Sequence, residues 1–491
     1  MELTTDAPRQ KDGMRHTGKW LGLVVLLSAA FMDLADVTIV NVALPSIDAD
    51  LNPSPAGMQW ITGGYSVTFA ISMILGGRLG DIYGRRKMFT LGVVIFTASS
   101  ALAGCAPSTS LLIAARVIQG IGAGLMVPQV LAIINVTFDK EERPKAFGMY
   151  GATIGLATVL GQLIGAVLIE LDIWGTDWRP IFLVNVPVGI AVLIFGLRYL
   201  PESKESGPRT GLDIVGAAGV GATLFLLLFP LTIGREEGWP AWCWIMIAAS
   251  VAMAGVFVVQ QVRRDKSGRE ALIPPKIFRR STSGGFAVQV AFATAAGIFF
   301  LTWILYMQVG LGWSPLRAAV TGLSFAVAAA IASGIAIQVF APKFGRGTLL
   351  VGAGLMLVGA AVFVVLLRGG DMTSLTMLTP LIIMGFGMGC VVSPLADLVL
   401  SDVPADESGA VSGVFNTLNQ VGLALGISFA SVAFFDILDD NVGEALNTQY
   451  ANAFENALYW IIGLLAVVIV VTFVIPARLR LAQPADADTT S

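Results

Sequence analysis

The chain is 491 residues long, 55% apolar and only 13% charged, with a net charge of −3 and a mean hydropathy of +0.78. So few polar groups cannot cover that much apolar surface in water, so the surrounding solvent is a bilayer. The near-neutral balance gives nucleic acid no footing, Cys105, Cys243 and Cys390 lack the spacing of a disulfide framework or zinc site, and no Walker A loop supplies an ATPase.

Crossing ~30 Å of hydrocarbon takes roughly 20 mostly apolar residues. The sequence predicts fourteen such helices, an all-α polytopic membrane fold. The first six are Trp20–Asn41, Gly57–Leu79, Met88–Cys105, Leu111–Val136, Phe147–Ile169 and Ile181–Leu197. A pair follows, Ile214–Gly234 and Trp242–Val262. The last six are Gly285–Val309, Ala318–Phe340, Thr348–Leu367, Leu375–Leu400, Val411–Phe435 and Leu458–Ile475. Long apolar runs containing Gly and Pro exclude the short alternating segments of a β-barrel.

Of the 30 lysines and arginines, Arg179, Arg235, Arg317 and Arg368 fall on one side and Arg116 lies within a span; the other 25 share the side of the termini. Both termini are therefore expected in the cytoplasm of a cell membrane. The basic loop from Arg263 to Arg280 is expected to anchor the chain on the anionic inner surface. Arg9, Lys11, Arg15 and Lys19 lead into the first span without a small-residue cleavage site, which predicts a retained helix.

A shift of 265 residues superimposes two stretches. Gly120, Gly122 and Gly124 fall on Gly385, Gly387 and Gly389; Glu142 falls on Glu407, Gly148 on Gly413 and Gly161 on Gly426. Close helix packing is the plain account of the glycines, but it leaves the shared loop acid unexplained. The chain then parses as a tail (1–19), a six-helix bundle (20–200), an inserted pair with its loops (201–283), a second six-helix bundle (284–476) and a tail (477–491). A duplicated bundle of this kind places a pathway between its halves and works by rocking one against the other.

Gly77-Arg-Leu79-Gly-Asp81-Ile-Tyr-Gly84-Arg85-Arg86-Lys87 resembles the loop-two/three signature of the major facilitator superfamily. Arg116-Val-Ile-Gln119-Gly120-Ile-Gly122 resembles its fourth-helix signature. Asp36-Val-Thr38-Ile-Val-Asn41-Val-Ala43-Leu44-Pro45 is similar to the first-helix signature of the fourteen-helix drug:proton antiporter branch. Trp178-Arg179-Pro-Ile-Phe182-Leu-Val-Asn185-Val-Pro187 resembles that branch too, as does Tyr306-Met-Gln308 followed by Gly312-Trp-Ser314-Pro315-Leu316. The chain departs from the branch at Gln162, where its fifth-helix motif has proline, at the additional acid Asp33, and at Asn419, where relatives often carry a basic residue.

Asp33 and Asp36 lie at a depth where an ionised acid costs ~2.5–3.5 kcal/mol even on lenient scales, so each must be protonated, paired or wetted. Two close carboxylates suit reversible protonation. The plain alternative is a structural ion pair with Arg116 on the fourth helix. The only histidine, His16, precedes the first span and cannot relay a proton across it. The resemblance implies that Asp36 is the proton site and that Arg116 links protonation to helix movement. Gly77, Asp81, Gly84, Arg85 and Arg86 are expected to form a conformational gate: Asp81, an acid in a basic loop, suggests a charge contact that locks one conformation, and Gly77 and Gly84 permit close approach there, while positive-inside anchoring is the plain account of the basic residues and the one taken for Lys87. Asn41, Tyr65, Gln119, Asn416 and Gln420 sketch a substrate cavity, to which Gln162 adds a polar side chain and Trp60 a face for flat cations; each alternatively serves an interhelical hydrogen bond or interface anchoring. Met126 and Met388 read as packing, and Asp436, Asp439, Asp440 and Glu444 as a solvated outer loop.

The expected function is a proton-coupled secondary transporter exporting hydrophobic or cationic compounds. It would need no cofactor, metal or nucleic acid, only substrate, protons and lipid, and would act as a monomer rather than as an enzyme. The alternatives are a dedicated exporter or symporter of one metabolite, or a non-transporting membrane sensor.

Overall fold

Four of the helices begin where a side chain satisfies a free N–H. Ser54 accepts from Gly57 N (3.2 Å), Ser108 from Leu111 N (3.4 Å), Asp213 from Gly216 N (2.9 Å) and Ser314 from Arg317 N (3.2 Å). Proline at the first helical position reinforces two of these starts, at Pro55 and Pro315. The computed structural model describes residues 16–139, 141–172, 175–203, 213–234, 237–269, 271–370, 372–401, 403–404, 407–440 and 445–473. Arg9, Lys11, Arg15, Arg235, Glu444 and the tail from 477 lie outside them, as do the side chains of His16, Asn41, Asp439 and Asp440.

Among the described residues there are fourteen long helices and no strand. In the first bundle α1 is His16–Leu51, α2 Pro55–Tyr83, α3 Arg85–Gly104, α4 Thr109–Thr137, α5 Arg143–Glu170 and α6 Pro180–Tyr199. The next two are α7, Ile214–Ile233, and α8, Ala241–Lys266. The remainder are α9 Arg280–Leu305, α10 Pro315–Ile335, α11 Gly347–Arg368, α12 Ser374–Ser401, α13 Ser408–Ala430 and α14 Leu446–Thr472. π turns at Tyr306–Gly310, Ala336–Phe340 and Ser431–Phe435 prolong α9, α10 and α13.

The sequence reading erred at the helix ends, where hydropathy stops but the backbone does not. Helix α1 runs to Leu51 rather than Asn41, and α14 starts at Leu446 rather than Leu458. Asp436, Asp439 and Asp440 are helical, in Asp436–Asp440, not in a loop. The first four residues of the basic loop are the last turn of α8, which carries Arg263, Arg264 and Lys266.

Thirteen of the helices are long and apolar enough to cross a membrane. The exception is α2, with Gln59, Thr62, Tyr65, Ser66, Thr68 and Ser72 in its sequence. It packs against α4, α13 and α7, so protein rather than lipid is its main solvent and polar side chains are tolerated.

In the first bundle α1 packs on α5 and α6, α3 on α4 and α6, and α2 on α4. In the second, α9 packs on α13 and α14, α10 on α12, and α11 on α12 and α14. The 265-residue shift carries α4 onto α12, and α5 onto 408–435, which is α13 with its π turn. The repeated glycines do equivalent jobs. A Cβ on Gly120 or Gly124 would collide with α2, and one on Gly385 or Gly389 with α10. Gly122 lies against α3 and Gly387 against α11 in the same way. The shared acid has its explanation too: Glu142 pairs with Lys19 near the start of α1, and Glu407 with Lys276 (2.6 Å) just before α9.

Two seams join the bundles, α2 with α13 and α5 with α10, while the pair α7–α8 leans through α7 on α2 and α13. Ser428 Oγ donates to Leu231 O (2.8 Å) across that last contact.

At the end opposite the termini, Asp50 at the close of α1 accepts from Trp178 Nε1 (3.0 Å) and Arg179 (2.9 Å), and Arg179 also donates to Ala106 O (3.3 Å). The Trp178 bond, then that of Arg179, holds the Asp50 carboxyl below the usual range. A depressed carboxyl stabilises the fold above its unfolded value of about 3.9, and that contribution is lost as pH falls below it. Melting in detergent should therefore drop more steeply below about pH 4 in the wild type than in Asp50→Asn. Parallel melting curves would show that this tie is energetically silent.

Candidate functional site

The centre of the first bundle holds a fully buried ionic cluster. Asp36 on α1 is 1% exposed, Arg116 on α4 1% and Gln119, one turn further along α4, 0%. Arg116 donates to Asp36 Oδ2 (2.5 Å) and to Gln119 Oε1 (2.7 Å), and its Nε donates to Ile61 O on α2 (3.1 Å). Gln119 Nε2 donates to Asp36 Oδ1 (2.9 Å). Asn185 on α6 donates to the same oxygen (2.9 Å) and to Ser100 Oγ on α3 (3.0 Å), whose hydroxyl donates to Phe182 O (2.9 Å). The guanidinium lies 4.2 Å from the Tyr65 ring centroid and 5.7 Å from that of Phe182. Helices α1, α2, α3, α4 and α6 thus converge on one carboxylate.

Asp33 is one turn from Asp36 but faces elsewhere. Its Oδ1 accepts from the Tyr65 hydroxyl, and the buried Tyr150 of α5 lies within reach of its charge. Asp33, Asp36, Arg116, Tyr65 and Gln119 therefore form one unit. Asn185 and Ser100 belong to it and escaped the sequence reading. Asn185 stood inside a recognised motif, which was the available signal; Ser100 carried none. The 265-residue shift puts Leu301, Leu381, Met384 and Tyr450 at the positions of Asp36, Arg116, Gln119 and Asn185. The second bundle has the scaffold without the charges.

The remaining cavity residues are dispersed. Asn41 lies on α1. Trp60 is half-buried and turned toward the inserted pair, 5.3 Å from the Phe229 ring of α7. Gln162 on α5 and Gln420 on α13 are half-buried, while Asn416 is buried and donates to Ser412 O (2.9 Å). Gln289 of α9 donates to Asn419 (2.7 Å), a polar contact where relatives were expected to have a charge.

A second constellation lies at the termini end of the α2–α13 seam. Asp81 is 0% exposed and bonds Arg85 (2.7 Å). It also accepts from the backbone N–H groups of Gly409 (3.2 Å) and Ala410 (3.0 Å), the first turn of α13. That turn has no intrahelical partners for these donors and carries the positive end of the helix dipole. Gly77 makes the approach possible, since a Cβ there would collide with Gly409 O. Ser412 Oγ donates to Pro128 O on α4 (2.8 Å) across the same seam. Gly84, at φ +109°, turns the chain from α2 into α3, and a side chain there would meet Glu202. Arg86 donates through its backbone to Glu202 (3.2 Å) and through its side chain to Leu200 O (3.3 Å). At the same end of the other seam Gly148, Gly151 and Gly155 of α5 meet Ile337, Ser393 and Ala329, and Asp397 of α12, unremarked in the sequence, feels the charge of Arg143. Among the described residues no three His, Cys, Asp or Glu side chains gather as a metal site.

The family model described as Major Facilitator Superfamily matches residues 26–427. The chain is 40% identical over 428 residues to the "Probable actinorhodin transporter" of Streptomyces coelicolor, covering 86% of this chain and 74% of that one. It is 33% identical to a puromycin resistance protein of Streptomyces alboniger, covering 84% and 80%. With the tetracenomycin C resistance and export protein of Streptomyces glaucescens it shares 30% identity, covering 92% and 83%. Among solved structures, a proton:xylose symporter of the superfamily aligns with TM-score 0.65 at 14% identity, covering 94% of this chain and 97% of that one. The human organic anion transporter aligns with TM-score 0.63 at 16% identity, covering 92% and 99%.

Proposed function

Because the chain belongs to the major facilitator superfamily, we propose that it is a proton-coupled antiporter exporting hydrophobic, often cationic compounds through a cell membrane. The observation that carries this reading is the shell around Asp36. Arg116, Gln119 and Asn185 all present N–H donors to it. An ionised carboxylate satisfies such a shell as it stands; a protonated one brings a hydroxyl that needs an acceptor, which the shell supplies only if the Gln119 or Asn185 amide turns over or the ion pair with Arg116 opens. Proton binding therefore breaks the existing pairing of Asp36 with Arg116 and its neighbours, and so loosens the contacts that tie α1 to α4 and α6. That is the coupling a proton-driven carrier requires.

Both termini are taken as cytoplasmic, and the chain acts as a monomer driven by the proton gradient alone. The two six-helix halves, 20–200 and 284–476, then rock about the seams, with the inserted pair carried alongside. In this orientation the Asp81 and Gly77 contacts close the cytoplasmic end. Outside protons load Asp36 or Asp33 and displace substrate; rocking exposes the acids inward, where the protons leave. Gly77→Ala should slow turnover about tenfold or more, because a shift of ~1.4 kcal/mol between two states is a factor of ten. Alanine is intrinsically the better helix former by about 1 kcal/mol, so a loss cannot be ascribed to a weakened α2.

A second reading, export of one dedicated metabolite, is favoured by relatives whose names each carry a single antibiotic. A wide panel of resistance phenotypes separates the two. The shared claim is tested in proteoliposomes with an imposed pH gradient: adding a transported compound should release protons. Transport without proton movement would remove the coupling.

A further inference from the structure

We propose that Tyr65 couples Asp33 to Asp36, so that the two carboxylates titrate as one unit rather than as independent proton sites. This rests on the proton-coupled reading above and specifies how its site works. Tyr65 is the side chain that touches both ends of the cluster. Its hydroxyl donates to Asp33 Oδ1, and its ring face lies 4.2 Å from the guanidinium that holds Asp36. It is 1% exposed, so neither contact is diluted by water.

The two contacts depend on one another. A phenol that donates to a carboxylate gains electron density in its ring, and a richer ring binds a cation more strongly. Ionised Asp33 therefore draws Arg116 toward Tyr65. Protonation of Asp36 acts from the other side: it leaves Arg116 without its anion, and the uncompensated charge settles on the ring and favours an ionised Asp33. A proton on one acid thus opposes a proton on the other, beyond the direct repulsion of two carboxylates one turn apart. The charged and titratable groups facing Asp33 are Tyr65 of α2, Tyr150 of α5, Arg116 of α4 and Asp36 of its own helix. Of these, only Tyr65 bonds Asp33 and also contacts Arg116 among the described residues. Tyr65 is accordingly a positioning residue, acting through the two acids.

The test is the pH profile of transport in proteoliposomes for the wild type, Tyr65→Phe, Asp33→Asn and the double variant. Tyr65→Phe keeps the ring beneath Arg116 and removes only the donor to Asp33. Without that donor the Asp33 charge is less favoured, so the midpoint should move to higher pH by about one unit, a tenfold change in proton affinity. Asp33→Asn keeps an oxygen for the Tyr65 hydroxyl and removes the charge. It should leave a single-proton profile narrower than that of the wild type, in which interacting acids titrate in two steps. Adding Tyr65→Phe to Asp33→Asn should then change nothing. Equal shifts in both backgrounds would overturn the proposal, as would a raised KM for Tyr65→Phe with an unmoved pH profile, which would make Tyr65 a substrate contact. Intact gradient-driven transport in Asp36→Asn would instead overturn the proton-coupled reading itself.

Discussion

Asp36→Asn is expected to abolish uphill transport driven by a pH gradient while leaving a folded, inserted protein. The titrating group disappears, and with it the proton-dependent loosening of the shell. Removing one member of a buried ion pair can cost about 3–5 kcal/mol, because the partner's charge is stranded. Here the stranded Arg116 keeps Ile61 O, Gln119 Oε1 and the Tyr65 ring, so the loss should sit at the low end of that range. Thermal melting and gel filtration in detergent report folding, and substrate accumulation under an imposed gradient reports coupling. Full accumulation by the variant would end the assignment of Asp36.

Asp81→Asn should strike the cycle rather than the binding site. The side chain bonds Arg85 and two N–H groups at the start of α13, all buried. Hydrogen bonds to a charged group contribute roughly 1.5–3 kcal/mol each, and even ~1.4 kcal/mol redistributes two states tenfold. The substitution removes the charge from the seam and weakens the hold of α2 on the first turn of α13. Turnover should fall at least about tenfold, while affinity in detergent changes within about threefold. A collapse of affinity at an unchanged maximal rate would place Asp81 in the binding site instead.

The fourteen helices and the ionic pair were legible because hydrophobic length and an acid at membrane depth are strong signals that depend on no distant partner. Helix ends were less so. The polar turns of α1 beyond Asn41 and of α14 before Leu458 continue the helix where hydropathy no longer marks it. Asp81 was recognisable as a contact residue, but its partners were not: they are backbone N–H groups 328 and 329 positions away, and every helix start offers the same donors. Ser100 looks like any small polar residue among apolar ones, and the motif around Asn185 does not say which side chain it meets. Only the fold gathers them onto Asp36.

The ionic cluster has a further consequence in the membrane's electric field. It sets two carboxylates against one guanidinium, so it carries one net negative charge with both acids ionised and none with a single proton bound. If one proton is exchanged for one monovalent cation, the cycle moves no net charge and ignores the membrane potential. If the cargo is neutral, each cycle carries one charge and gains or loses about 2.3 kcal/mol per 100 mV. A proton-coupled exporter built on this cluster would expel cations with a driving force set by pH alone and neutral compounds with one set by pH and voltage together.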